Sequence, residues 1–120
     1  MQTTLDKKSL GALAEQKACD FLTANGLTLI TRNYRCAYGE IDLIMQDGED
    51  IVFVEVRSRT RSDYGYAEET VDHIKQRKLL KTASHFLQHK NWLDTVNSRF
   101  DVIGFLNSNI EWIKDAFIYE

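Results

Sequence analysis

The chain has 120 residues, 43% of them hydrophobic, with 18 Asp and Glu against 15 Lys and Arg, three His, two Cys and no Pro. An apolar share of that size with a net charge of only -3 excludes a disordered chain, and the length suits one domain, residues 1–120, burying roughly two-thirds of its unfolded surface. No apolar run approaches the ~20 residues of a membrane helix, and Glu15, Gln16, Lys17 and Asp20 break up the N-terminal apolar residues, so the expectation is a cytoplasmic chain with no membrane partner.

Leu10, Leu13, Ala14, Ala18, Phe21 and Leu22 form one stripe of an amphipathic helix, which Asn25-Gly26 ends because both residues tolerate a left-handed backbone. Three β-rich runs follow, LTLITRNYR, EIDLIMQ and IVFVEVRSR, the last two joined by Asp-Gly-Glu-Asp as a hairpin. IVFVEV is almost continuously apolar, as a central strand covered on both faces should be; Glu55 is its exception. After the loop TRSDYGYAEET, a second helix presents Val71, Ile74, Leu79, Leu80, Ala83, Phe86 and Leu87 to the core and Lys75, Arg77, Lys78 and Lys81 to solvent. RFDVIGFL and the start of IEWIKDAFIYE are further strands. The order α-β-β-β-α-β-β predicts an α/β fold with helices packed on a mixed sheet.

Cys19 and Cys36 lack a disulfide framework or a zinc-ligand spacing and read as reduced and structural. His85 and His89 stand four apart but have no HExxH motif and no third ligand, so they read as ordinary helix residues. Trp92 and Trp112 read as edges of the core.

The small net charge hides segregation. Residues 1–56 carry nine acids and five bases, residues 57–90 four acids and eight bases, and residues 91–120 five acids and two bases. A basic middle third is the footprint of a polyanionic partner as well as of a solvated helix face. Arg57, Arg59 and Arg61 alternate along the end of one strand, and Tyr64 and Tyr66 follow them, a combination suited to phosphate contact and base stacking.

The chemistry centres on the pairing of GEID with FVEVR. Strict alternation puts Glu40, Asp42 and Ile44 on one face of their strand and Ile41, Leu43 and Met45 on the other, with Phe53, Glu55 and Arg57 sharing a face on the next. A loop centred between Gly48 and Glu49 places Asp42 opposite Glu55 and Glu40 opposite Arg57; an Asp47-Gly48 loop places Glu40 opposite Glu55 instead. Either way carboxylates crowd together, which is destabilising without a counter-ion. A hard cation such as Mg²⁺ fits, since it takes oxygen ligands and is commonly held by one or two carboxylates plus substrate phosphate. A structural ion network through Arg57 is the alternative.

An acid on one strand followed by an apolar-Glu-apolar-basic run on the next resembles the PD-(D/E)XK nuclease superfamily. The fuller pattern, GALAEQKACDFLTANGLTLITRNYR, GEIDLI, VFVEVRSR and a helix containing KQRKLLKTA, is similar to the YraN-like family of small bacterial proteins over residues 9–105. The resemblance implies a restriction endonuclease-like α-β-β-β-α-β core related to Holliday junction resolvases. It implies that Asp42 and Glu55 are catalytic acids binding Mg²⁺ or Mn²⁺, that Glu15 assists as a third metal acid, and that Arg57 stands where the superfamily has its catalytic lysine. Arginine stays charged and cannot be a general base, so Lys75 or Lys78 is the candidate to replace that lysine, with Gln76 placed to hold water or phosphate. The expected function is therefore a metal-dependent nuclease acting on DNA phosphodiesters, on branched or structured DNA by analogy. A non-catalytic nucleic-acid-binding domain and a structural or protein-interaction module are the alternatives. One site on a small chain does not readily cut two strands, which makes a homodimer the natural form for a resolvase-like role.

Overall fold

In the computed structural model, which describes residues 7–59, 72–106 and 109–117, the elements run α1 (Lys7–Ala24), β1 (Thr28–Cys36), β2 (Gly39–Asp47), β3 (Asp50–Arg59), α2 (His73–His89), β4 (Ser98–Leu106) and β5 (Asn109–Ile113). The strands form one sheet in the order β1-β2-β3-β4-β5, with β3 and β4 parallel and the other neighbours antiparallel. This is the expected mixed α/β core, with β3 in the middle. Among the described residues no helix is long and apolar enough to cross a membrane.

The Asn25-Gly26 signal works as its chemistry dictates. Gly26 takes φ 96°, its N–H bonds to Thr23 O and the Leu27 N–H reaches back to Leu22 O, both at 3.1 Å, which closes a Schellman motif. Leu27, now buried, packs beside Leu22. At the other helix Asp72 is the N-cap, accepting the Lys75 backbone N–H at 2.8 Å.

Each face of the sheet carries its own core. On one, Leu79, Ala83, Phe86 and Leu87 of α2 pack against Ile44, Phe53, Phe100 and Val102; on the other, Ala18, Cys19 and Leu22 of α1 pack against Leu43, Met45, Val52, Val54 and Ile103. Residues of β3 alternate between the two, which is why the strand reads as continuously apolar. Both cysteines are free thiols, and Cys19 belongs to the α1-side core.

Three expectations need correction. Leu10 and Leu13, assigned to the apolar stripe of the first helix, are exposed, and only its later residues Ala18, Cys19 and Leu22 are buried against the sheet. Ile74, assigned to the buried stripe of the second helix, is 62% exposed, while Thr82 joins the buried face. Successive helix residues point about 100° apart, so turning Lys75 toward the sheet sends Ile74 outward. Strict alternation in β2 also fails. Ile41 packs with Ile44 on the α2 side although Leu43 and Met45 lie on the α1 side. The facing changes at Asp42, opposite Asn33 of β1, whose φ is 51°, with no change of register, since Arg32↔Leu43 and Tyr34↔Ile41 keep the same offset; the register shift of this strand pair lies further along, between Leu29 and Thr31.

Polar order is also found where the sequence reading placed only core. Asp101 of β4 is fully buried and accepts four hydrogen bonds, from Arg99 Nε at 3.0 Å and Nη2 at 3.2 Å, Trp112 Nε1 at 2.9 Å and the Asp115 N–H at 2.9 Å. Arg99 extends to Asp47 at 3.0 Å, tying β4 to β2 and to the segment after β5. Trp112 thus packs the edge of the core, as expected, and also holds this acid.

Candidate metal centre

The paired positions Asp47↔Asp50 through Leu43↔Val54 select the register that brings Asp42 opposite Glu55, and exclude the one that sets Glu40 against Glu55. The backbone ladder runs to Leu43↔Val54, and beyond it the Val56 N–H donates to Asp42 Oδ2 at 2.8 Å. The Asp42 side chain thus serves as an acceptor for the neighbouring strand. Glu40 is drawn off to Arg35 of β1, with which it pairs at 2.9 Å, and not to Arg57.

Glu55 is buried on β3 and has two cations beside it: Lys75 Nζ at 3.2 Å and Arg57 Nη2 at 3.7 Å. They do not cancel the cost of burying its charge. Burial, and next the charge of Asp42, push Glu55 up to about 7 from 4.5, although Lys75 and Arg57 act the other way. Asp42 is also raised, chiefly by burial, against the opposing pull of the Val56 N–H and Lys75. Glu15 of α1 is raised by burial and next by the charge of Asp42, while the Asn33 side chain acts the other way. Three acids, Glu15, Asp42 and Glu55, thus stand against two cations, Lys75 and Arg57.

The donor set fits a hard divalent cation in kind. Asp42 and Glu55 offer oxygen donors from adjacent strands, a usual protein contribution for Mg²⁺. Among the described residues no group of three or more His, Cys, Asp or Glu is arranged to hold a metal ion, so Glu15 stands as a neighbour of Asp42 and not as a formed third ligand.

The α2 side separates the two lysine candidates. Lys75 reaches Glu55, whereas Lys78 is exposed, its Cβ lying over Gly39, where a glycine Cβ would come within 3.9 Å of it and 3.2 Å of Thr82 Oγ1. Gln76 is half-buried. Arg57 is held loosely, and its Nε is buried with no hydrogen-bond partner. Arg61, Tyr64 and Tyr66, and the side chain of Arg59, lie outside the described residues. Asn33 is the site neighbour that the sequence reading passed over. Its signal was an Asn in a strand, a residue that tolerates the left-handed conformation found here.

Residues 14–105 match the uncharacterised protein family UPF0102. Similar relatives include UPF0102 proteins of Coxiella burnetii, 46% identical over 114 residues covering 94% of this chain and 95% of the relative, and of Nitrosococcus oceani, 45% identical over 92% of each. Another, from Actinobacillus pleuropneumoniae, is 50% identical over 104 residues and 85% of each chain.

Proposed function

Because the chain belongs to the UPF0102 family, the YraN-like group its motifs resemble, and combines that family's sequence with a buried Glu55 and a half-buried Asp42 opposed on adjacent strands, we propose that it is a divalent-metal-dependent nuclease acting on DNA phosphodiesters. One observation carries the reading. Asp42 and Glu55 oppose each other across β2 and β3, and the burial of their charge raises both carboxyls above the ordinary range although Lys75 and Arg57 stand beside Glu55, so the pair is short of positive charge.

Asp42 and Glu55 would hold Mg²⁺ or Mn²⁺. The cation, when bound, polarises a phosphodiester oxygen and favours attack by water. Asp42 is oriented for this by the Val56 N–H, and Glu55 by Lys75. The Lys75 ammonium, with three donors, can bridge from Glu55 to the attacking water or a phosphate oxygen. Arg57 cannot take a proton from water; its guanidinium, with an unpartnered buried Nε, is suited to gripping a phosphate and stabilising charge that builds on it. Positive charge continues along α2, whose 17 residues include Lys75, Arg77, Lys78 and Lys81 and no acid.

The Lys75–Glu55 ion pair also supports a second reading, a nucleic-acid-binding domain in which lysine occupies the acid in place of a metal. The deciding experiment incubates branched, flap, duplex and single-stranded DNA with Mn²⁺ and compares the wild type with Glu55→Ala and Asp42→Ala. The nuclease reading expects cleavage of at least one substrate, lost in both variants with binding retained. Binding that weakens steeply with salt, without cleavage of any substrate, selects the second reading.

A further inference from the structure

Tyr38 and His85 stand outside the proposed chemistry, yet they share one wall of an open pocket. Tyr38, on the turn between β1 and β2, is 51% exposed, and its ring stands edge-on to His85 of α2 with centroids 6.2 Å apart. The pocket, of about 460 Å³, is completed by Leu80, Lys81, Ser84 and Gln88. Its floor is anchored in the core: Tyr34 Oη and His85 Nδ1 share a hydrogen bond, and the Tyr34 ring packs edge-on to buried Phe86 at 5.2 Å. Nδ1 is thereby engaged, which leaves Nε2 of this exposed histidine as the ring nitrogen open to a ligand.

The position relates this pocket to the acid pair. Tyr38 precedes Gly39 at the start of β2, the strand that carries Asp42, and Gly39 closes tightly on Thr82 of α2. Along α2, Lys75 and His85 are ten residues apart, about 15 Å at the rise of a helix, and Lys78 and Lys81 lie between them within the same third of the helix circumference. Neither lysine has an ion-pair partner among the described residues. A path of cations thus leads from Glu55 to an exposed aromatic ring.

We infer that the Tyr38–His85 pocket is a stacking subsite for an unpaired base of single-stranded nucleic acid whose backbone runs along Lys78 and Lys81. Charge complementarity selects the occupant, since a helix with four Lys and Arg and no acid attracts a polyanion, and an exposed ring beside that charge supplies the stacking surface. A duplex keeps its bases stacked on one another and gains only the phosphate contacts. The inference rests on the nucleic-acid reading proposed above and adds to it a preference for a substrate with an unpaired segment next to the scissile phosphate.

The test measures fluorescence anisotropy of a labelled twelve-residue oligothymidylate, its abasic counterpart and a duplex of equal length, at low salt with Ca²⁺. Tyr38→Ala should weaken oligothymidylate binding about tenfold and leave duplex binding within twofold, while Tyr38→Trp restores the affinity. The abasic strand should bind the wild type about as weakly as oligothymidylate binds Tyr38→Ala, and Lys81→Ala should weaken all three probes. No binding of oligothymidylate, equal binding of the abasic strand, or an unchanged affinity in Tyr38→Ala would overturn the subsite. Cleavage is scored separately with Mn²⁺. Tyr38-dependent binding without cleavage keeps the subsite and removes the nuclease, whereas cleavage and binding indifferent to Tyr38→Ala do the reverse.

Discussion

Lys75 Nζ lies 3.2 Å from Glu55 Oε1, joining the first turn of α2 to the middle strand of the sheet. The contact distinguishes two lysines three residues apart on one helix. If Lys75 acts at the reacting phosphate, Lys75→Ala should lower the rate of DNA cleavage in Mn²⁺ about a hundredfold, the scale of one positioned proton-handling group. Lys78→Ala should act through affinity, reducing the salt dependence of DNA binding by roughly one contact. Because Lys75 opposes the upward shift of Glu55, Lys75→Ala should also raise the Glu55 pKa, which carboxyl-carbon NMR reads without any cleavage.

Glu55 makes folding stability fall as pH rises. Its folded pKa of about 7 exceeds the unfolded 4.5, so between these values the folded state holds a proton that the unfolded state has released. The favourable contribution is fully present below pH 4.5 and lost as pH rises through about 7. Taken alone, the shift corresponds to roughly 3 kcal/mol. Glu55→Gln should therefore leave stability nearly unchanged at pH 4.5 and raise it by roughly 1–3 kcal/mol at pH 8, which urea unfolding at each pH measures. A larger loss at pH 8 than at pH 4.5 would contradict this sign.

A divalent cation should reverse that cost. At a concentration ten times its Kd, Mg²⁺ or Mn²⁺ adds roughly 1.4 kcal/mol to a folded state that alone binds it. The melting temperature of the apoprotein should rise by a few degrees at pH 8, and by less at pH 5, where protons compete for Asp42 and Glu55. Asp42→Asn should remove the response, as differential scanning fluorimetry can establish.

Asp101 gives a prediction that is independent of function. Removing the carboxylate leaves Arg99, Trp112 Nε1 and the Asp115 N–H without their shared acceptor. Asp101→Ala should cost roughly 3–5 kcal/mol, the scale for breaking a buried pair. Chemical denaturation measures that loss, while the intrinsic fluorescence of Trp112 should change as its indole loses its partner.

What could be read without coordinates follows from short-range chemistry. Helical spacing in Leu10–Leu22, the left-handed tolerance of Asn25-Gly26, the turn around Gly48-Glu49 and the apolar run interrupted by Glu55 each depend on a few neighbouring residues, and the described structure has all four. Together they were enough to align Asp42 with Glu55, because a hairpin turn sets the register of its strands. Three features depended on how distant elements pack. At Asn33 and Asp42 the backbone departs from strict alternation without changing register: the Asp42 carboxylate accepts from the Val56 N–H and Ile41 turns to the other face. The rotation of α2 about its axis is set by its contact with the sheet, and it brings Lys75 inward while exposing Ile74. Arg99, Asp101 and Trp112 meet only once β5 folds back on β4, so in the chain they read as an ordinary strand and an ordinary aromatic. Periodicity and turn residues determined which segments pair; the packing of helices on that sheet decided which charges meet, because that geometry is long-range.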